Sequence, residues 1–434
     1  MMKIFKNPDL QQWPDLIRRP AADTRTLEPV VQPVLEAVKS RGDDALREFT
    51  QRFDRVHLSE FRVSDAEFEA AVLKCPAKLR EAILLARQNI ETFHRAQMEQ
   101  PTPVETMPGV HCWRRSVPIE RVGLYIPGGS APLFSTLLML GVPARIAGCR
   151  HIAICTPPQP DGSVHPAILF TASALGIRDV FKVGGAQAIA ALAYGTESIL
   201  AVYKIFGPGN AYVTAAKQLV ARDGVAIDLP AGPSEVAVIC DHTAHPSFVA
   251  ADLLSQAEHG CDSQVLLITW SEEVLQDVIL DVERQLSELP RRDVAHAALK
   301  NSKAILVAGP DEAIHLSNAY APEHLILACS EADVLATQVV NAGSVFIGHY
   351  SCESAGDYAS GTNHTLPTGG YARAYSGVSL DSFVKKITFQ RLTPDGLRRI
   401  GPTIETMAEA ENLAAHSRAV SIRLNHLKTN TSKL

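Results

Sequence analysis

Long apolar runs, a basic excess and paired cysteines are all missing from this 434-residue sequence. A membrane-spanning helix needs roughly 18 uninterrupted apolar residues. The nearest stretch, Ala131 to Gly148, is broken by Ser135, Thr136, Pro143 and Arg145, so no span is expected. The start, Met1-Met2-Lys3-Ile4-Phe5-Lys6-Asn7-Pro8, carries no apolar leader segment, and a cytoplasmic location is the expectation. Lys and Arg total 41 against 47 Asp and Glu, a net charge of −6, with no long basic run. That balance argues against nucleic acid or an anionic membrane as partner. The 8 cysteines include no CxxC pair, which excludes a cysteine zinc site and favours reduced thiols over a disulfide frame. With 27 Gly and 27 Pro the chain is neither collagen-like nor linker-dominated.

What is present is ordinary globular material: 46% hydrophobic and 20% charged residues, at a length that suggests two to four domains. The first hundred residues read as helices, with a capping box at Ser64-Asp65-Ala66-Glu67 and a break at Pro76. From about Val122 the rhythm changes to short β-rich runs followed by helical segments. Strands are expected at Val122–Ile126, Ile152–Cys155, Val180–Val183, Lys204–Phe206 and Val225–Leu229. A second series follows at Val236–Cys240, Gln264–Thr269, Ala304–Val307 and Val345–Ile347. Alternation of this kind indicates an α/β architecture of parallel sheets covered by helices. The division expected is a helical N-terminal region at 1–109, one doubly wound domain at 110–235, a second at 236–370, and a helical extension at 371–434. Pro402 suits the first turn of a helix running from Ile404 to Ala415. A weak echo, Ala131 to Phe134 with Gly148-Cys149 against His245 to Phe248 with Gly260-Cys261, suggests duplication, although chance competes with it.

Several short patterns carry chemistry. Gly184-Gly185 and Gly207-Pro208-Gly209-Asn210 each follow a strand and open a helix, where free amides can cradle a pyrophosphate; ordinary βα turns explain them as well. Gln256 and His259 lie three apart on a helical segment and can face one atom, although a capping or surface histidine is the plainer reading in isolation. Glu323-His324, after Pro322, offers two bases of different pKa, although a solvated loop pair is the plainer reading in isolation. The segment Ser354 to His364, including Asp357, is small and polar enough to wrap a ligand as a loop. Glu411 and His416 interrupt the C-terminal helix. Gln256, His259, Asp357 and His416 make up a possible nitrogen and oxygen set for zinc or another divalent ion, but spacing does not establish that they meet.

These motifs, in this order, resemble the L-histidinol dehydrogenase family over nearly the whole chain. The matching segments are Val122 to Ser130, Val183 to Ala190, Gly207 to Asn210, Pro230 to Glu235, Leu253 to Gly260, Pro322 to His324 and Ser354 to His364. The resemblance implies two incomplete Rossmann-like domains with N- and C-terminal helical extensions. It implies a four-electron oxidation of L-histidinol to L-histidine through an aldehyde, using two NAD+ and one zinc per subunit. By similarity Gln256, His259, Asp357 and His416 hold the zinc, which grips the imidazole and amino nitrogens of the substrate. His324 is the base for the alcohol proton and serves again in the second hydride step, while Glu323 activates water. Ser234, His364 and Glu411 complete the substrate contacts, and Tyr125, Gln187 and Asn210 line the NAD site. The family forms an intertwined homodimer, so the C-terminal segment with Glu411 and His416 is expected to act across subunits. An alternative within the family is a dehydrogenase of another amino or sulfonated alcohol; outside it stand a zinc hydrolase using Glu323 and a two-domain binding protein. Cys149 and Cys155 are read as buried, inert thiols.

Overall fold

Apolar runs of four to six residues, flanked by glycine or polar turns, become the central strands of two parallel sheets. The computed structural model describes residues 2–20, 24–128, 132–229 and 232–431. The motif residues Gly129, Ser130, Pro230 and Ala231, and Ala131 of the echo, lie outside them. In chain order the strands are β1 (Lys3–Lys6), β2 (Val104–Met107), β3 (Val110–Pro118), β4 (Arg121–Tyr125), β5 (His151–Thr156), β6 (Val180–Lys182) and β7 (Lys204–Phe206). They continue with β8 (Ala226–Ile227), β9 (Glu235–Cys240), β10 (Gln264–Thr269), β11 (Lys303–Leu306), β12 (His324–Ala328), β13 (Ser344–Ile347) and β14 (Val384–Leu392). The chain divides into one unit of residues 1–97 and 119–383 and a second of 98–118 and 384–434.

The larger unit holds both parallel sheets, ordered β6-β5-β4-β7-β8 and β1-β11-β10-β9-β12-β13. Setting β1 aside and numbering each sheet from its own first strand, both read 3-2-1-4-5, with the winding reversing between strands 1 and 4. Alternate residues point to opposite faces, and both faces are buried. In β9 the side chains of Val236 and Val238 join one core and those of Ala237 and Ile239 another. β4 and β5 divide in the same way, Val122 and Ile154 from Tyr125 and Ala153. The sequence echo falls on corresponding elements, the helices Phe134–Ala147 and Pro246–Ala257, each crossing from strand 1 to strand 2 of its sheet. Gly148 ends the first of these in the left-handed conformation, at φ +87°.

In such a sheet the crevice for ligands lies at the carboxyl ends of strands 1 and 4. In the second sheet Asp241 bridges the two strands at that point. Just past β9, this carboxylate accepts the N–H (2.9 Å) and hydroxyl (2.7 Å) of Ser330 beyond β12, and the N–H of Thr243 at 2.9 Å.

Three expectations are corrected. The N-terminal region is not wholly helical: Lys3–Lys6 pairs in parallel with β11 at the sheet edge, a placement its two lysines disguise. The C-terminal region contains β14, which lies antiparallel to β3 in the smaller unit's sheet β14-β3-β2. Its half-buried residues are scattered among charged ones, and Phe389 stacks on Trp113 at 5.6 Å. Third, Pro402 lies inside a helix, Pro394–Ala410, because Thr393 caps its start by accepting the Gly396 N–H and Pro394 takes the first turn. The expected capping box does open a helix, Asp65–Lys74, with Ser64 and Glu67 exchanging bonds.

Candidate active site

Two cavities adjoin in the larger unit. The first, about 760 Å³, lies at the carboxyl edge of the five-stranded sheet and is lined by Tyr125, Gln187 and Asn210 together with Phe53, Asp54 and Thr156. Its turns are built as the glycines suggested. Gly185, at φ +63°, begins the helix Gly185–Tyr194 and donates its N–H to the Tyr125 hydroxyl at 3.1 Å. Asn210 caps the helix Ala211–Arg222, its Oδ1 accepting the N–H groups of Tyr212 and Val213, both at 3.1 Å. Gly207 sits between them at φ +127°, where a Cβ would lie 2.0 Å from the Tyr125 carbonyl oxygen. Its carbonyl accepts from the buried Lys217 at 2.9 Å, and its N–H donates to Asp228 at 2.8 Å, the two side chains forming an ion pair. Burial pushes the Tyr125 phenol up to about 12, so it stays neutral.

The second cavity, about 470 Å³, shares Asn210 with the first and is lined by Ser234, Gln256, His259, Glu323, His324, Asp357 and His364. Here the second sheet contributes its amino edge: Ser234 precedes β9, and His324 opens β12 beside it. Glu323 is only 6% exposed and His324 4%. The Glu235 backbone holds both: its N–H donates to Glu323 Oε2 at 2.9 Å, and its carbonyl faces His324 Nδ1 at 3.3 Å. A carbonyl only accepts, so Nδ1 carries the proton and Nε2 faces Asp357 Oδ1 at 3.5 Å. Gln256 spends its amide donor on Glu323 at 3.2 Å, which leaves its oxygen for another partner. His364 donates from Nδ1 to the Asp357 carbonyl at 2.8 Å, and its Nε2 lies 3.2 Å from the Thr136 hydroxyl.

Burial pushes the Glu323 carboxyl up to about 7, more than the neighbouring His324 cation pulls it down. Burial acts on His324 in the lowering direction, but Glu353, Glu323 and Asp357 outweigh it and raise the imidazole to about 10. The imidazole therefore holds its proton until that negative charge is compensated. A cation site is at hand: ligating atoms of His259, Glu353 and Asp357 lie within 4.8 Å of one another. Both Glu353 oxygens are buried without a hydrogen-bond partner among the described residues. One imidazole and two carboxylates are a donor set suited to a divalent transition ion.

The structure thus gathers Ser234, Gln256, His259, Glu323, His324, Asp357 and His364 into one cavity. Glu411 and His416 belong to the smaller unit and are exposed, at the break between the helices Pro394–Ala410 and Ala414–Thr431, and not within one helix as expected. His259 lies just beyond the helix ending at Ala257, its N–H returning to the Gln256 carbonyl. The expected loop from Ser354 is half helix, Glu353–Tyr358, and this turns Glu353 inward. Glu353 and Thr136 escaped the sequence reading; each is one polar residue at a helix start and carries no distinguishing pattern. Cys149 and Cys155 are buried, and burial raises both thiols, Cys149 to about 11.

Fold and cavities define an α/β protein with a buried carboxylate–imidazole pair, a cation-binding donor set and an adjoining glycine-edged pocket. The sequence matches the histidinol dehydrogenase family model over residues 17–424, and the chain belongs to that family. It is 59% identical over 428 residues to histidinol dehydrogenase of Bacteroides thetaiotaomicron, covering 99% of this chain and 100% of the relative. With the Bacteroides fragilis (strain YCH46) histidinol dehydrogenase it shares 58% over 427 residues, covering 98% and 100%. The crystal structure of histidinol dehydrogenase from Elizabethkingia anophelis superposes with a TM-score of 0.97 at 56% identity, covering 98% of this chain and 99% of that one.

Proposed function

We propose that this chain oxidises L-histidinol to L-histidine in the cytoplasm, by two hydride transfers to NAD+ through L-histidinaldehyde, with one zinc per subunit. The observation that carries this reading is the buried Glu323–His324 pair in a cavity that shares Asn210 with a second, larger one. Hydride transfer needs a base at the carbinol and an acceptor alongside it, and the adjoining cavities supply room for both. His324 Nε2 takes the hydroxyl proton as hydride leaves the carbinol carbon. Glu323, with a pKa near neutrality, takes a proton from the water that adds to the aldehyde carbon. His324 returns its proton to the aldehyde oxygen as the water adds, and then accepts a proton of the resulting hydrate as the second hydride leaves, giving the acid, which ionises to the carboxylate.

Tyr125, Gln187 and Asn210 would hold NAD, which would supply the hydride acceptor. His259, Asp357 and Gln256, with His416 from a second copy of the chain, would hold the zinc, which would supply a fixed point for the imidazole and amino nitrogens of the substrate. Ser234, His364 and Glu411 complete the substrate contacts in a homodimer with shared sites.

The test is NADH formation with limiting L-histidinol, before and after chelation and zinc restoration. Two NADH per histidinol, lost with chelator and regained with zinc, are expected. One NADH per histidinol would contradict the role given to Glu323. None, with folded and metal-loaded protein, would point to another alcohol.

A further inference from the structure

We propose that Arg19, remote in sequence and absent from the cavity lining, is a positioning residue for the Glu323–His324 pair. Its guanidinium Nε donates to Glu235 Oε1 at 2.5 Å and its Nη2 to Oε2 at 2.9 Å. The same Nη2 reaches the carbonyls of Tyr320 (2.7 Å) and Ala321 (3.3 Å), and the guanidinium carbon lies 4.0 Å from the Tyr320 ring centre. Arg19 therefore ties together the two segments on which the pair depends. Glu235 is the residue whose main-chain N–H and carbonyl hold Glu323 and His324. Tyr320 and Ala321 end the helix Pro310–Tyr320 and lead directly into Pro322, Glu323 and His324. A cation at a helix C-terminus satisfies carbonyls that lack intrahelical partners.

The clamp has a strained element to hold. Ala321 sits at φ +55°, a left-handed conformation that L residues avoid. The Glu235 side chain is 2% exposed and accepts one further bond, from the Gly369 N–H at 2.8 Å. Without Arg19 a buried carboxylate loses its counter-charge and must move or take a proton, and the main chain carrying the site bonds moves with it. Arginine suits the place because its planar fork meets both carboxylate oxygens and the carbonyls at once, which a lysine ammonium does not.

The inference rests on reading Glu323 and His324 as the two bases, so Glu323→Gln and His324→Gln are measured alongside Arg19→Lys and Arg19→Ala. For each, kcat and KM for histidinol, melting temperature and zinc content are determined in the full-length holoenzyme. Arg19→Ala is expected to lose about 100-fold in kcat, the scale of a displacement near 1 Å, with KM and zinc content little changed. Added guanidinium ion should restore part of that kcat in Arg19→Ala but none in His324→Gln. If Arg19→Ala does not fold, Arg19→Lys decides: a lower kcat at an unchanged melting temperature supports the clamp. Wild-type kcat in a folded Arg19 variant, or a loss that follows melting temperature and ignores guanidinium, overturns it. Wild-type kcat in the Glu323 and His324 variants would sink the two-base reading instead.

Discussion

Glu323 and His324 are neighbours in sequence, but different forces set their proton affinities. Glu323 is raised by loss of solvent, while His324 is raised by the carboxylates around it in spite of that loss. Their replacement should therefore separate the steps. With histidinaldehyde as substrate, Glu323→Gln should lose about 10²–10⁴-fold in rate, whereas His324→Gln should lose a similar factor with either histidinol or the aldehyde. Equal losses from Glu323→Gln in alcohol oxidation measured alone would contradict the division of labour. Asp252 gives a test in stability. Burial pushes its carboxyl from 3.8 up to about 6, against the pull of the Glu353 N–H. A carboxyl raised in the folded state contributes stability that is complete below pH 3.8 and is lost as pH rises through about 6. Asp252→Asn lacks that loss, so its melting temperature relative to wild type should climb across this interval and then level off. A difference independent of pH would refute it. At this scale the adjacent Glu and His after a proline were visible in the sequence as a candidate pair, but their spacing alone favoured a solvated loop, and their burial is seen only in the structure. The sequence did not show Glu353, whose importance arises only when a short helix turns it toward His259 and Asp357.

Among the elements, the βα turn at Gly207 is the most constrained. Replacing Gly207 by Ala places a methyl group against the Tyr125 carbonyl in a conformation that L residues avoid. The expected result is a raised KM for NAD+ and a stability loss of at least about 1 kcal/mol, read from steady-state kinetics and a thermal melt. Unchanged values for both would show that the turn relaxes freely. Most strands of the two parallel sheets were readable because burial on both faces leaves nearly unbroken apolar runs such as Val236 to Cys240, although β12, equally apolar, was not among those expected. β1 and β14 were not readable, since Lys3, Lys6, Lys385 and Lys386 dilute the apolar signal. The edge that carries the site was also hidden: nothing in the sequence near Asp241 announces its bonds to Ser330 beyond β12.

For the whole molecule, exposed Glu411 and His416 in the smaller unit give the proposed dimer a direct test. His324→Gln and His416→Ala proteins should each be inactive alone and regain partial activity when mixed under conditions of subunit exchange. No recovery after verified exchange would mean that one chain supplies its whole site. The two sheets repeat one strand order, but the larger cavity lies at the carboxyl edge of the five-stranded one, while at the corresponding point of its counterpart Asp241 bonds across to Ser330. Under the proposed reaction this has a consequence for timing. Each histidinol gives up two hydrides, and the berth proposed for their carrier is the one glycine-edged cavity beside Asn210. The first reduced nicotinamide must depart and a fresh one arrive while the half-oxidised substrate waits next door. Asn210, common to both chambers, stands at the place where that wait begins and ends.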